Sequence, residues 1–216
     1  MDKLKGMGLG AGAVVGGNTL AGLLTLPTVA LDPVLTSSDA RKLLSQANKG
    51  LKRKISPVSL PSVGFPQGAY SPGTHQIFSF GDQKAGLLAH EFGHAKNFQG
   101  PYREMSRFNK LRAHLHNPKL MYASGILPLI GAASDDEQIQ DAAPLSALLM
   151  VPMLLEEGAA SLRGLYDVTK SLGLKRGLKA APGLAAAWAT YASIPALSAY
   201  MAKRMVDKRR EIEADR

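Results

Sequence analysis

Two histidines and a glutamate lie in the sequence at the spacing of a zinc-binding helix. Residues 87–95 read LLAHEFGHA, so His90 and His94 are four residues apart and Glu91 follows the first histidine. On an α-helix, side chains at positions i and i+4 project from the same face. One zinc ion can therefore bind both imidazoles at ~2.0–2.1 Å without distorting the helix.

Glu91 has the position of a general base in this motif. It follows His90 directly, so its carboxylate is expected beside the metal and not on it. Zinc lowers the pKa of a bound water toward ~7, and a neighbouring carboxylate can take the proton of that water. The resulting hydroxide can attack a peptide carbonyl, and zinc stabilises the developing oxyanion. These residues predict a metallopeptidase that uses zinc and acts on a protein or peptide.

A zinc site of this kind needs a third protein ligand and an open position for water. The chain has no cysteine, so this ligand must be a histidine or a carboxylate. His114 and His116 are two residues apart, which places them on different faces of a helix and favours solvent-facing or helix-terminal positions. Glu156 and Glu157 follow a long apolar stretch, where buried carboxylates need a partner such as zinc. Alternatively, both carboxylates reach solvent at the end of that helix.

A strand and a helix are the elements expected to position the motif. Residues 75–80 roughly alternate in polarity, with Phe78 and Phe80 on one face and Ile77 and Ser79 on the other, and predict a short strand. A helix is predicted from residue 83 to about residue 100, and an amphipathic helix over residues 37–51. Residues 57–72 are rich in Pro, Gly and Ser and predict a loop.

Four stretches without charged residues indicate contact with a membrane: 6–31, 120–134, 142–155 and 180–202. The first is long enough to cross a bilayer, but it also fits a signal peptide cleaved near Ala30 or a Gly-rich arm. The second and third resemble the arms of a hydrophobic helical hairpin at about residues 120–155, joined by the acidic segment 135–141. The fourth is a transmembrane candidate followed by a basic tail, and a buried soluble helix is the alternative.

The formal net charge of +9 arises from basic residues that fall in short runs. Such runs attract nucleic acid or an anionic membrane surface. The aromatic residues that alternate with cations in single-strand binders are missing here, and several runs flank apolar stretches. We therefore expect a membrane partner and no nucleic acid. Solvated faces of ordinary helices are the alternative.

The motif of residues 90–94, the strand before it, the hairpin after it and the sequence Glu157-x-x-Ala160-Ser161 together resemble the integral-membrane gluzincin metallopeptidases. These include the CAAX prenyl endopeptidase, the bacterial heat-shock membrane protease and the membrane-bound neutral zinc metallopeptidases. The resemblance covers residues 75–163. It implies that Glu157, and not Glu156, is the third ligand and that Ser161 helps to position the site.

The resemblance also suggests how a substrate would be held. In zincins the strand before the metal helix is an edge strand that binds the substrate backbone as an added strand, and residues 75–80 are placed for that role. Candidates for a second oxyanion donor are Tyr102, His114 and Arg163, the last of which corresponds to an arginine that follows the motif in some members.

We accordingly predict a mainly α fold with a zincin-like active-site helix, a small strand or edge sheet, and hydrophobic helices with transmembrane potential. The expected organisation is a hydrophobic Gly-rich segment (1–35), a metallopeptidase domain with the embedded hairpin (36–179), and an apolar helix with a basic tail (180–216). The predicted function is a membrane-associated zinc endopeptidase with Glu91 as general base. The alternatives are a catalytically inactive zinc-binding protein and a membrane-associated structural protein in which the motif is accidental.

Overall fold

The computed structural model describes residues 30–49, 51–61, 67–71, 73–81, 83–99 and 118–215. Within these ranges the helices are α1 (Ser37–Ala47), α2 (Ala85–Gln99), α3 (Pro118–Ala132), α4 (Glu137–Ala142), a 3-10 helix (Ala143–Met150), α5 (Val151–Leu172) and α6 (Leu174–Ala214). The strands are β1 (Ser56–Leu60), β2 (Gln67–Ser71) and β3 (Gln76–Phe80). The predicted mainly α fold with a small sheet is confirmed. Most of the predicted segment 1–35 lies outside the described residues, as do Tyr102, His114 and His116.

The described residues fall into two compact units. One comprises those within Leu24–Arg112 and Leu155–Trp188, and it holds the sheet, α1, α2 and most of α5. The other comprises those within Ala113–Leu154 and Ala189–Arg216. His90, His94 and Glu157, the predicted metal ligands, all belong to the first unit.

The sheet of the first unit has the strand order β1-β3-β2. β3 pairs in parallel with β1, where Val58 lies opposite Phe78, and antiparallel with β2, where Tyr70 lies opposite Ile77. The predicted strand is present, with Ile77 and Ser79 buried. It is central, however, so the prediction that it forms an edge is wrong. The predicted loop over 57–72 is also wrong, because β1 and β2 lie there. Proline and glycine are tolerated in edge strands, which need fewer ladder hydrogen bonds.

The sheet packs against α2 through one apolar core. Ile77 of β3 and Leu88 and Phe92 of α2 are buried there together with Leu43 of α1 and Val168 of α5. The start of α2 is held by a distant carboxylate. Asp32 accepts hydrogen bonds from the backbone N–H groups of Gly86 (2.8 Å) and Leu87 (3.1 Å), two of the groups that a helix cannot satisfy internally.

Glycines let α2 and α5 touch backbone to backbone. A Cβ atom at Gly93 would lie 2.1 Å from the carbonyl oxygen of Ala160, and one at Gly164 would lie 2.7 Å from that of Ala89. Both positions therefore exclude any larger side chain at this separation of the helices. The close approach brings the first turns of α5 within side-chain reach of the histidines on α2.

In the second unit, α3 packs along the 3-10 helix, with Leu129 and Ala132 buried against Ala143. The acidic segment that joins them includes the short helix α4, which Asp136 caps. From there the chain remains helical through the 3-10 helix into α5. Of the described residues, the helical stretch Glu137–Leu172 is the one that is long and apolar enough to cross a membrane by length and composition.

Candidate metal centre

Three side chains from α2 and α5 converge in the first unit. His90 and His94 project from successive turns of α2, and Glu157 projects from α5; all three are buried. His90 Nε2 lies 3.0 Å from Glu157 Oε2 and 3.1 Å from His94 Nε2. His94 Nε2 lies 3.3 Å from the same carboxylate oxygen. The three ligand atoms thus form a nearly equilateral triangle that is close enough to hold one metal ion.

The tautomer of His90 is fixed by its outer partner, meaning the group that is hydrogen-bonded to the ring nitrogen facing away from the triangle. The hydroxyl of Ser161 donates a hydrogen bond to the carbonyl oxygen of Leu184 (3.2 Å), and His90 Nδ1 lies 3.1 Å from the same hydroxyl. Because the Ser161 proton is directed at Leu184, the hydroxyl accepts from His90 Nδ1–H. The lone pair of the imidazole is then on Nε2, which faces the triangle.

His94 is oriented in the same way by a carboxylate. Its Nδ1 lies 3.2 Å from Glu156 Oε1. An ionised carboxylate accepts hydrogen bonds and donates none. Glu156 Oε1 also accepts a hydrogen bond of 2.8 Å from the side-chain amide of Asn97. His94 therefore donates from Nδ1, and its Nε2 lone pair also faces the triangle.

Two imidazole lone pairs and a carboxylate oxygen within 3.3 Å of one another repel unless a positive charge lies among them. Either a metal ion or protons on the imidazoles can supply that charge. When protons on the imidazoles supply the charge, burial still raises the pKa of Glu157, but the hydrogen bonds and positive charge of His90 and His94 outweigh it and hold that pKa at about 2. Glu157 is therefore ionised at neutral pH, which is the form in which a carboxylate binds a metal ion.

Glu91 lies beside this triangle under strand β2. Its side chain is 7% exposed, and it accepts a hydrogen bond from the backbone N–H of Tyr70. Burial raises the pKa of Glu91 above the ordinary 4.5; the nearby charges of His94 and His90 and the Tyr70 N–H lower it in part, and Glu157 raises it. Gly68 is required for this packing, because a Cβ there would lie 2.9 Å from Glu91 Cγ. A buried carboxylate of raised pKa beside a cation site suits a general base.

The structure separates the two candidate carboxylates on α5. Glu157 reaches both histidine Nε2 atoms, whereas Glu156 contacts the far side of His94. Ser161 contacts His90 as described. Arg163 is half-buried on α5 and is not one of the three groups in the triangle. The other two oxyanion candidates lie outside the described residues.

Sequence reasoning missed Asn97, Gly68 and Tyr70. Asn97 is three residues after His94, so helical periodicity places it on the same face, and a polar residue there could have been noticed. Gly68 and Tyr70 lie in the segment that the sequence predicts to be a loop, and the pairing of β2 with β3 brings them to Glu91.

Comparisons of this chain with protein-family models, curated proteins and solved structures found no match.

Proposed function

We propose that this protein is a zinc-dependent endopeptidase in which His90, His94 and Glu157 hold the metal and Glu91 is the general base. The observation that carries the proposal is the triangle of ligand atoms whose outer partners turn both imidazole lone pairs inward. A buried cluster of three acceptors costs free energy unless it binds a cation.

Zinc suits this donor set better than Mg²⁺ or Ca²⁺ does. Two imidazoles and one carboxylate form a three-ligand set of the kind found in catalytic zinc sites, whereas Mg²⁺ and Ca²⁺ prefer oxygen ligands. Ligand atoms at ~2.0–2.1 Å from a tetrahedral zinc are separated by about 3.3–3.4 Å. The edges of the triangle, 3.0, 3.1 and 3.3 Å, approach that value. Three protein ligands leave a fourth position for water.

The bound metal would supply a water of lowered pKa and polarise the substrate carbonyl. With the metal in place, Glu91 would take a proton from the water as its oxygen bonds to the carbonyl carbon, and would deliver that proton to the amine nitrogen as the C–N bond breaks. Its burial keeps its pKa raised, so the carboxylate is a stronger base than an exposed glutamate. Strand β2, an edge strand whose Tyr70 N–H reaches Glu91, is placed to align an extended substrate backbone beside the base.

The test is peptide cleavage by the 216-residue chain, with zinc measured in the same samples. Glu91→Gln should retain zinc and lose cleavage, because an amide cannot accept the proton. His90→Ala should lose both, because a two-ligand site holds zinc poorly. Wild-type turnover by Glu91→Gln would refute the mechanism. Bound zinc without cleavage by the wild-type chain would favour the alternative of an inactive zinc-binding protein.

We also propose that the protein associates with a membrane. In addition to the apolar stretch Glu137–Leu172, the second unit exposes several large apolar side chains that would be favourable in lipid. These are Leu127, Ile130, Leu145, Leu148 and Leu149.

Flotation of the protein with vesicles that contain anionic lipid tests this association. The double variant Leu145→Ser/Leu148→Ser replaces two exposed leucines (63% and 60% exposed) and should reduce flotation. The control variant Leu174→Ser/Leu178→Ser replaces leucines of similar exposure (66% and 65%) outside the apolar stretch. It should float as well as the wild-type chain. Equal flotation of the two double variants would contradict the assignment of the surface, and no flotation of the wild-type chain would contradict the association.

A further inference from the structure

The two metal-binding histidines have different outer partners. His90 donates to the neutral hydroxyl of Ser161, whereas His94 donates to the carboxylate of Glu156. Glu156 is 4% exposed and is itself held by Asn97, which is 1% exposed and donates to its carboxylate at 2.8 Å. A buried carboxylate is costly, and one that is directed at the back of a ligand acts on that ligand.

We infer that Glu156 and Asn97 form a positioning pair that orients His94 and strengthens its binding of the metal. This inference rests on the proposed metal site, although not on peptide hydrolysis. Glu156 fixes the His94 tautomer. Its negative charge raises the basicity of the imidazole, so that Nε2 binds the cation more strongly. Asn97 acts through Glu156, because its amide nitrogen contacts the oxygen that accepts from His94.

The helix geometry explains why neighbouring glutamates have separate roles. Adjacent residues on a helix point about 100° apart, so Glu156 and Glu157 cannot both face one ion. Glu157 meets the Nε2 side of the histidines and Glu156 the Nδ1 side of His94. Asn97 lies three residues beyond His94, and this spacing places its amide over the second turn of α5, which carries Glu156.

A double-mutant cycle on zinc affinity tests the pair. Glu156→Ala should weaken zinc binding by about 10–100-fold, the usual effect of losing an outer partner of a ligand. Glu156→Gln keeps an oxygen that can accept from His94 but loses the charge, so its loss should fall at the lower end, about 10-fold. Asn97→Ala should weaken binding in the wild-type background and have little further effect in Glu156→Ala.

Asp167→Asn is the matched control. Asp167 is also a fully buried carboxylate on α5, and it pairs with Lys96 of α2 at 2.7 Å, so it joins the same two helices. Its loss should lower thermal stability without changing the zinc affinity of the folded protein. If Glu156 were only structural, its variants would behave in the same way.

The measurement is zinc competition against a chromophoric chelator, with the melting temperature of each metal-free variant taken beside it. Zinc affinities of Glu156→Gln and Glu156→Ala within twofold of wild type would overturn the inference, even if the wild-type chain cleaves peptides. Additive effects of the two alanine substitutions would also overturn it, because Asn97 would then not act through Glu156. Lost zinc affinity in a chain whose wild type cleaves nothing would support the inference and count against the peptidase.

Discussion

Gly93→Ala is expected to disrupt the metal centre through a single methyl group. The new Cβ would lie 2.1 Å from the carbonyl oxygen of Ala160, and side-chain Cβ atoms do not approach other atoms within about 3.0 Å. Helices α2 and α5 must then separate by about 0.9 Å (3.0 − 2.1). Glu157 lies less than one turn from Ala160, so the separation moves it away from both histidines.

The expected magnitude follows from the tolerance of metal coordination. Ligand distances in a working site vary by about ±0.2 Å, so a displacement of about 0.9 Å removes Glu157 from the ligand set. Zinc affinity should fall by at least the ~10–100-fold attributed to disturbed outer partners. Overpacking costs ~1–3 kcal/mol, and the better helix propensity of alanine returns up to ~1 kcal/mol. The net loss of about 0–3 kcal/mol should lower the melting temperature by up to about 12 °C, at ~2–4 °C per kcal/mol for a chain of this length.

Two glycines on α5 allow the same substitution to be tested at larger distances from neighbouring atoms. Gly164→Ala needs a separation of only about 0.3 Å (3.0 − 2.7) from Ala89 and should show a smaller loss of zinc affinity. Gly158→Ala places its Cβ 3.5 Å from Trp188, an ordinary contact, and should be neutral or stabilising by up to ~1 kcal/mol. The assays are chelator competition for zinc and thermal unfolding by circular dichroism. Wild-type zinc affinity in Gly93→Ala would refute the close-approach argument.

The remaining predictions concern the base and the first histidine. Gly68→Ala should push on Glu91 Cγ and lower kcat/KM by ~10-fold or more, with zinc affinity nearly unchanged; equal losses in both would contradict it. Ser161→Ala should weaken zinc binding by ~10–100-fold in chelator competition, because His90 Nδ1 loses its acceptor. Because burial raises the pKa of Glu91, hydrolysis should fall with decreasing pH through a limb above pH 4.5, and a pH profile of kcat/KM that is flat down to 4.5 would count against Glu91. Ionising Glu91 in the fold costs free energy, so Glu91→Gln should raise the melting temperature of the metal-free protein at pH 7.

The local part of the site could be read from the sequence, because an i, i+4 pair needs only one helix. The spacing of His90 and His94 and the direct succession of Glu91 are properties of α2 alone. Glu157 lies 67 residues beyond His90, and residue types alone left Glu156 and Glu157 as equal candidates. The family resemblance separated them, and the structure places Glu157 at the triangle.

The sheet could not be read in the same way, because its order depends on pairing. Pro57, Gly68 and Ser71 each favour a loop when considered one at a time. They form strands because β3 offers hydrogen-bonding groups on both of its sides. The strand conformation therefore depends on residues that are distant in the sequence. The hydrogen bonds between Asp32 and the start of α2 could not be predicted for the same reason, because 54 residues separate Asp32 from Gly86.

The hydrogen bond from Ser161 to Leu184 has a consequence for the growing chain at the ribosome. Domains fold as units while synthesis continues, and α2 with its two histidines is complete long before α5 emerges. The third ligand follows 67 residues after His90, and the carbonyl that fixes Ser161 belongs to Leu184, 23 residues after Ser161. A nascent or prematurely ended chain that stops before Leu184 would carry all three ligand residues without the anchor that turns His90 toward the ion. We therefore expect a chain that stops before Leu184 to bind zinc more weakly than the whole chain does.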